Sequence, residues 1–157
     1  MKMASIGDLL ARQPLLASLG RDDVDRLADC GHIEVFADGS LLAREGEPAD
    51  WFYVIRGGRV ALELASPAGS PLGIETLGWH DMVGWSWIFP PHLWTCDVRA
   101  IGTTRVIAVN GGCLRRRCDD DPAFGYRLMR LFARLAAERL HATRLRLLDL
   151  YERDHVG

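Results

Sequence analysis

Four cysteines, five histidines and five tryptophans are the residues of this chain whose types could carry chemistry. The cysteines, Cys30, Cys96, Cys113 and Cys118, form no CxxC pair, and Cys113 and Cys118 lie five apart beside Arg115, Arg116 and Arg117. That spacing is a poor ligand set for zinc or an iron–sulfur cluster, so the expectation is reduced thiols with packing roles. His32, His80, His92, His141 and His155 never make a close HxH pair with a following glutamate, and each reads as a lone surface histidine. No GxSxG, P-loop or catalytic cysteine arrangement is present. The expectation is therefore no catalytic residue, no metal and no enzyme. What remains is the stretch from Gly84 to Cys96, where Trp85, Trp87, Phe89 and Trp94 alternate with the hydroxyls of Ser86 and Thr95. Its chemistry is stacking and burial of apolar area.

The elements that position this stretch follow from composition and pattern. With 157 residues, 48% hydrophobic and 25% charged, and a net charge of −2, the chain has the profile of one globular domain, 1–157. No apolar run approaches the roughly 20 residues of a membrane span. The first residues run into charge before a secretory segment can form, so the expectation is a cytoplasmic protein with no membrane contact. Charge sums to −5 over 1–112 and to +3 over 113–157, where basic residues alternate with acids. A solvated helix face explains that alternation, and no nucleic-acid surface is expected.

Leu9, Leu10, Leu15, Leu16, Leu19, Val24 and Leu27 suit two short helices separated by Pro14, placing N-terminal helices over 1–30. From His32 the pattern changes to short apolar runs punctuated by turn residues, which predicts strands over 31–110. The runs are His32–Phe36, Ser40–Ala43, Trp51–Ile55, Arg59–Leu64, Leu72–Leu77, Thr95–Ala100 and Thr104–Val109, with Gly57-Gly58 as a hairpin turn and a second break at Ile101-Gly102. Helical periodicity returns over 113–151, first as a short helix from Cys113 to Cys118, then as a long one from Pro122 to about Tyr151.

Two motifs now carry a resemblance. One is the run from Phe36 to Val60, with Asp38-Gly39, Glu45-Gly46-Glu47-Pro48 and Gly57-Gly58; the other is Leu77-Gly78-Trp79-His80-Asp81-Met82-Val83-Gly84. Together with the helix–strand–helix order they resemble the cyclic nucleotide-binding domain of the catabolite activator (Crp/Fnr-like) type, over nearly all of 10–150. The resemblance implies a mainly β fold, an antiparallel jelly-roll or β-roll with flanking helices and a long C-terminal helix. It implies a regulatory, sensory function in signal transduction. Because the chain stops six residues after Tyr151, a stand-alone domain without a helix-turn-helix is expected, hence no direct DNA binding and regulation through a protein partner.

The resemblance also locates a departure. Where the family has a glutamate for the ribose and an arginine for the cyclic phosphate, this chain has Trp85 and Trp94. Arg99 sits on the strand face opposite to Trp94, Cys96, Val98 and Ala100 and is a poor substitute. The implied ligand residues are Ile74, Gly84, Trp85, Ser86, Trp87, Trp94, Thr95 and Thr143, with Ile74 and Thr143 beside the base and backbone N–H groups at a helix start near Ser86. Three readings stay open: tryptophans filling the cavity of a structural dimeric protein, an apolar pocket for a planar small molecule, or a divergent site for a cyclic nucleotide. No cofactor beyond such a ligand is implied.

The long helix carries two apolar rows. Leu128, Leu131, Leu135, Ala142 and Leu145 form one; Phe132, Ala136, Leu140, Thr143, Leu147 and Leu150 form the other. A helix longer than its own domain, with two rows, predicts a homodimer through Phe132, Ala136, Leu140, Thr143 and Leu147.

Overall fold

A computed structural model describes residues 3–156; positions 1, 2 and 157, the extremes of the expected domain, lie outside the described residues. Helix α1 (Ile6–Ala11) begins at a capping box in which Ser5 and Asp8 each accept the other's backbone N–H at 3.0 Å. A 3₁₀ turn (Pro14–Leu16) leads to α2 (Arg21–Asp29), whose first turn holds Asp22 and Asp23 at the positive end of the helix dipole.

Six strands follow: β1 (Gly31–Phe36), β2 (Leu41–Ala43), β3 (Trp51–Leu64), β4 (Leu72–Leu77), β5 (Met82–Val83) and β6 (Asp97–Asn110). They pair antiparallel in the order β1-β6-β3-β4, with β2 on β6 and β5 on β3, and the result is a β-roll with flanking helices, as expected.

Two glycine-containing breaks do not do what their spacing implied. Gly57-Gly58 is not a hairpin: β3 runs straight through it for 14 residues, and β6 likewise runs 14 residues through Ile101-Gly102. The β3–β6 register slips on both sides of Gly57, so the glycines make bulges, which bend paired strands without reversing them. Gly58 has φ of +79°, and a Cβ there would lie 2.5 Å from the carbonyl oxygen of Thr103 on β6. Close backbone approach, not a turn, demands glycine at 58. The two-residue β5, absent from the predicted strands, caps the early part of β3.

Alternation along β3 feeds two cores, because successive side chains point to opposite faces. Phe52 and Val54 face the helices, joining Leu10, Leu27, Trp87, Leu114, Phe124, Leu128, Leu131 and Phe132. Tyr53 and Ile55 face the roll interior with Val60, Leu62, Val83, Trp94, Val98 and Val106.

Helix α3 (Gly111–Asp120) is capped by Asn110, whose side-chain oxygen accepts from the Cys113 N–H at 2.8 Å. Helix α4 (Pro122–His155) starts with Pro122 in its first turn and Asp121 accepting from the Phe124 N–H at 3.2 Å. Its 34 residues extend about 51 Å. Asp23 ties α4 to α2: its buried carboxylate accepts from Arg127 Nε at 2.6 Å and Nη2 at 3.0 Å, and from Arg26 Nη1 at 3.1 Å. The Arg127 guanidinium holds that carboxyl below the usual carboxylate range against the opposing cost of burial.

The expectation of four reduced thiols fails at one pair. Cys30, after α2, and Cys113, in the first turn of α3, form a disulfide across 83 residues of chain. Sequence spacing cannot see it, because the β1–β6 pairing brings both ends together: Gly31 stands opposite Val109. Cys96 and Cys118 are free, and burial pushes both thiols up.

A loop of that length gives a disulfide roughly 4–5 kcal/mol in the chain-entropy limit. The protein as purified is expected two hydrogens lighter than after reduction. Adding a reductant should lower Tm by on the order of 10 °C, and Cys30→Ser should abolish that sensitivity. An unchanged melting curve under reductant would show the pair to be absent.

Candidate functional site

β4, the 84–96 segment and α4 enclose a cavity of about 200 Å³. Six of the eight residues expected at a ligand site line it: Ile74, Gly84, Trp85, Ser86, Trp94 and Thr95. Leu62, Leu64 and Val83 complete its apolar wall, and Glu75, Cys96 and Arg139 add polar groups.

Trp94 sets the shape of this cavity. Its indole lies parallel to Tyr53 at 6.3 Å in the roll core and closes down on Gly84, where a Cβ would sit 2.6 Å from Trp94 Cη2. Gly84 also has φ of +101°, so glycine is required there twice over, by backbone conformation and by the indole above it. The expected helix start near Ser86 is not formed. The segment makes turns instead, with Ile88 N–H donating to the Trp85 carbonyl at 3.0 Å and His92 N–H to the Phe89 carbonyl at 2.8 Å. A ladder of parallel N–H groups pointing at an anion is therefore not what this backbone offers.

Trp87 and Thr143 lie outside the cavity wall. Trp87 is 1% exposed and turns the other way, stacked on Phe52 and edge-on to Phe132, each at 5.3 Å. Gly111 makes room for it, since a Cβ there would be 2.5 Å from Trp87 Cβ. Thr143 donates its hydroxyl to the Arg139 carbonyl one turn back on α4 at 2.9 Å.

The polar centre of the cavity, Arg139, is absent from the expected site. Its side chain is 17% exposed, its guanidinium lies 4.7 Å over the Trp85 ring, and it donates to the Met82 carbonyl. Glu75 of β4 stands 3.9 Å from Arg139 Nε and 3.5 Å from Arg146 Nη2. Burial pulls the Arg139 guanidinium below the ordinary arginine range, opposed by Glu75 and Asp81. The signal for it was present: Arg139 interrupts an apolar row, seven residues after Phe132, and two helical turns place it on the face that Phe132 buries. A second cavity of about 360 Å³, lined by Leu15, His80, Asp81, Met82, Leu135 and Ala142 among others, shares Glu75 and Arg139 with the first. Arg99 points away, donating to Glu63 and to the Gly39 carbonyl, both at 2.8 Å.

The residues expected to face a second copy divide. Phe132 is 4% exposed and spends its ring on Phe52 and Trp87 of its own chain, and Ala136 and Thr143 are half-buried. Leu140 is 51% exposed and Leu147 is 61% exposed. Among the described residues, no helix is long and apolar enough to cross a membrane, and no group of three or more His, Cys, Asp or Glu side chains is arranged to hold a metal ion.

Comparison with known proteins gives a consistent set of similarities. The family described as "Cyclic nucleotide-binding domain" matches residues 33–121. The CRP-like cAMP-activated global transcriptional regulator of Mycobacterium tuberculosis is 32% identical over 122 residues, which are 78% of this chain and 53% of that protein. The chain thus spans about half the length of the curated relatives it matches. The N-terminal domain of a transcriptional regulator from Streptomyces coelicolor A3(2) superposes with a TM-score of 0.69 at 28% identity, covering 84% of this chain and 94% of that one. The regulatory subunit of a cAMP-independent protein kinase A from Trypanosoma cruzi, bound to guanosine, superposes with a TM-score of 0.60 at 26% identity, covering 80% of this chain and 48% of that one.

Steric and conformational demands at Gly84 are separable by experiment. Gly84→Ala is expected to cost about 2–3 kcal/mol in the wild-type background but only about 1 kcal/mol in a Trp94→Ala background, where the clash is gone and the backbone strain stays. Urea unfolding of the four proteins measures both values, and equal costs in the two backgrounds would show that Trp94 does not press on Gly84.

Proposed function

The chain belongs to the cyclic nucleotide-binding domain family, and from that premise we propose that it is a non-enzymatic regulatory module whose pocket takes a small ligand by stacking and burial of apolar area. Cyclic AMP and cyclic GMP then bind weakly or not at all. The observation that carries this reading is the Trp94 indole seated on Gly84, in the place where the family resemblance calls for a phosphate-binding arginine. A charge-assisted hydrogen bond to phosphate contributes roughly 1.5–3 kcal/mol, and losing it along with the ribose carboxylate removes several kcal/mol of affinity. Ile74, Gly84, Trp85, Ser86, Trp94 and Thr95 are the ligand-facing residues on this reading. Guanosine in the Trypanosoma cruzi relative is a nucleoside without a phosphate, which supports a pocket of this fold working without phosphate capture.

The module is proposed to comprise one domain over 1–157 and to act as a homodimer through α4. Leu140 and Leu147 are the contact, with Ala136 and Thr143 at its edge and Phe132 held inward. Burying exposed leucines of a helix that outruns its own roll supplies the drive. Signal output then passes through a protein partner, as is fitting for a chain similar to the regulatory half of transcriptional regulators.

Calorimetry is expected to give Kd no tighter than roughly 100 μM for either cyclic nucleotide. A value near 1 μM would refute the proposed mode of recognition. Light scattering at micromolar concentration should give twice the chain mass, and Leu140→Glu should give the monomer; a wild-type monomer would remove the dimer.

A further inference from the structure

We propose that the ligand is a small, flat, apolar monoanion, an aromatic carboxylate whose ring fills the space between Ile74, Trp85 and Trp94 and whose carboxylate meets Arg139. This rests on the cavity being the ligand site. The charge follows from Arg139. A guanidinium has five N–H donors, and among the described residues this one spends a single hydrogen bond, on the Met82 carbonyl. The carboxylate nearest to it, Glu75, stands at 3.9 Å, outside hydrogen-bonding distance and closer to Arg146. A largely buried cation with unspent donors is stabilised most by an anion that the surrounding water cannot replace, and a planar carboxylate matches the guanidinium fork.

Size and charge limits follow from the rest of the wall. At about 200 Å³ the cavity between Ile74, Trp85 and Trp94 takes one or two rings, and Arg139 stands where it meets the second cavity. Arg146, half-exposed and outside this wall, stands nearer to Glu75 than Arg139 does and pairs its charge, so the charge left on Arg139 matches a monoanion, whereas a dianion would set its second charge against Glu75. Asp81, on the far side, has its carboxylate on the Gly78 N–H at 2.9 Å. Ser86, Thr95 and Cys96 add neutral polar atoms at the rim, and the remaining wall is apolar.

Two probes of equal shape separate charge from area: 2-naphthoate and its uncharged counterpart 2-naphthamide, titrated calorimetrically into the full chain. Wild type should bind the naphthoate about ten-fold or more tighter than the naphthamide. Arg139→Met, checked for folding by circular dichroism, should bring the two to within about two-fold of one another. Glu75→Gln, which removes the competing carboxylate, should tighten naphthoate alone several-fold, and decides the matter if Arg139→Met does not fold. Equal affinity for the two probes, or a weakened naphthoate in Glu75→Gln, overturns the anion assignment and leaves the pocket reading standing. Neither probe binding at millimolar concentration overturns both the anion assignment and the pocket reading.

Discussion

Trp87 holds three parts of the molecule together. Its indole is stacked on Phe52 of β3 and set edge-on to Phe132 of α4, so the 84–96 segment, the sheet and the long helix share one dry junction. Aromatic rings of this size contribute both buried area and geometry: offset and edge-on pairs fix the angle between elements as well as their distance. Gly111, at the start of α3, has no side chain because Trp87 Cβ occupies the space a Cβ would take. The path of the chain into α3 and α4 is thereby conditioned by a residue of the segment that forms the pocket.

That junction decides what α4 brings to the pocket. Phe132, Arg139 and Arg146 recur at seven-residue intervals, so burial of the first fixes the direction of the other two on a rigid helix. Arg139 is carried onto Trp85, and Arg146 onto Glu75 of β4. A change in the pocket that moves Trp85 or Glu75 therefore acts directly on α4. The helix leaves the body of the roll beyond this point, and Leu140, Leu145, Leu147, Leu148, Leu150 and Tyr151 are all exposed along it. Pocket and exposed leucines sit on one rod, which is the physical route by which occupancy of one could bias the other.

On the proposed reading, the aromatic side chains alter the energetics of recognition more than the architecture. Ionic capture of a phosphate needs donors aimed into a site left open for the anion, whereas here the Trp94 indole is seated on Gly84 in a mainly apolar wall. Affinity on that reading is governed by fit. A single cation in the wall, Arg139, is worth more there than on the surface, because little water competes for its donors.

Much of this was legible in the chain. The order of helices, strands and long helix follows from hydrophobic period, and the 84–96 stretch was located by the family resemblance that glycine spacing carries, since these are properties of neighbours in sequence. Ile74, Gly84, Trp85, Ser86, Trp94 and Thr95 line one cavity. The rest was decided by contacts between distant residues. The Gly57-Gly58 pair read as a turn became a bulge, because β3 and β6 pair along their whole lengths and the cross-strand partner cannot be read locally. Cys30 found Cys113 only because β1 lies against β6. Trp87 and Phe132 turned inward to each other, away from the cavity and from the exposed leucines of α4, and Arg139 entered the cavity wall, because the angle at which α4 crosses the roll is set by tertiary packing. Residue types and their periods determine which elements form and which faces are apolar; where those faces meet is a balance of packing energies between segments far apart in the chain, and only the folded structure expresses it.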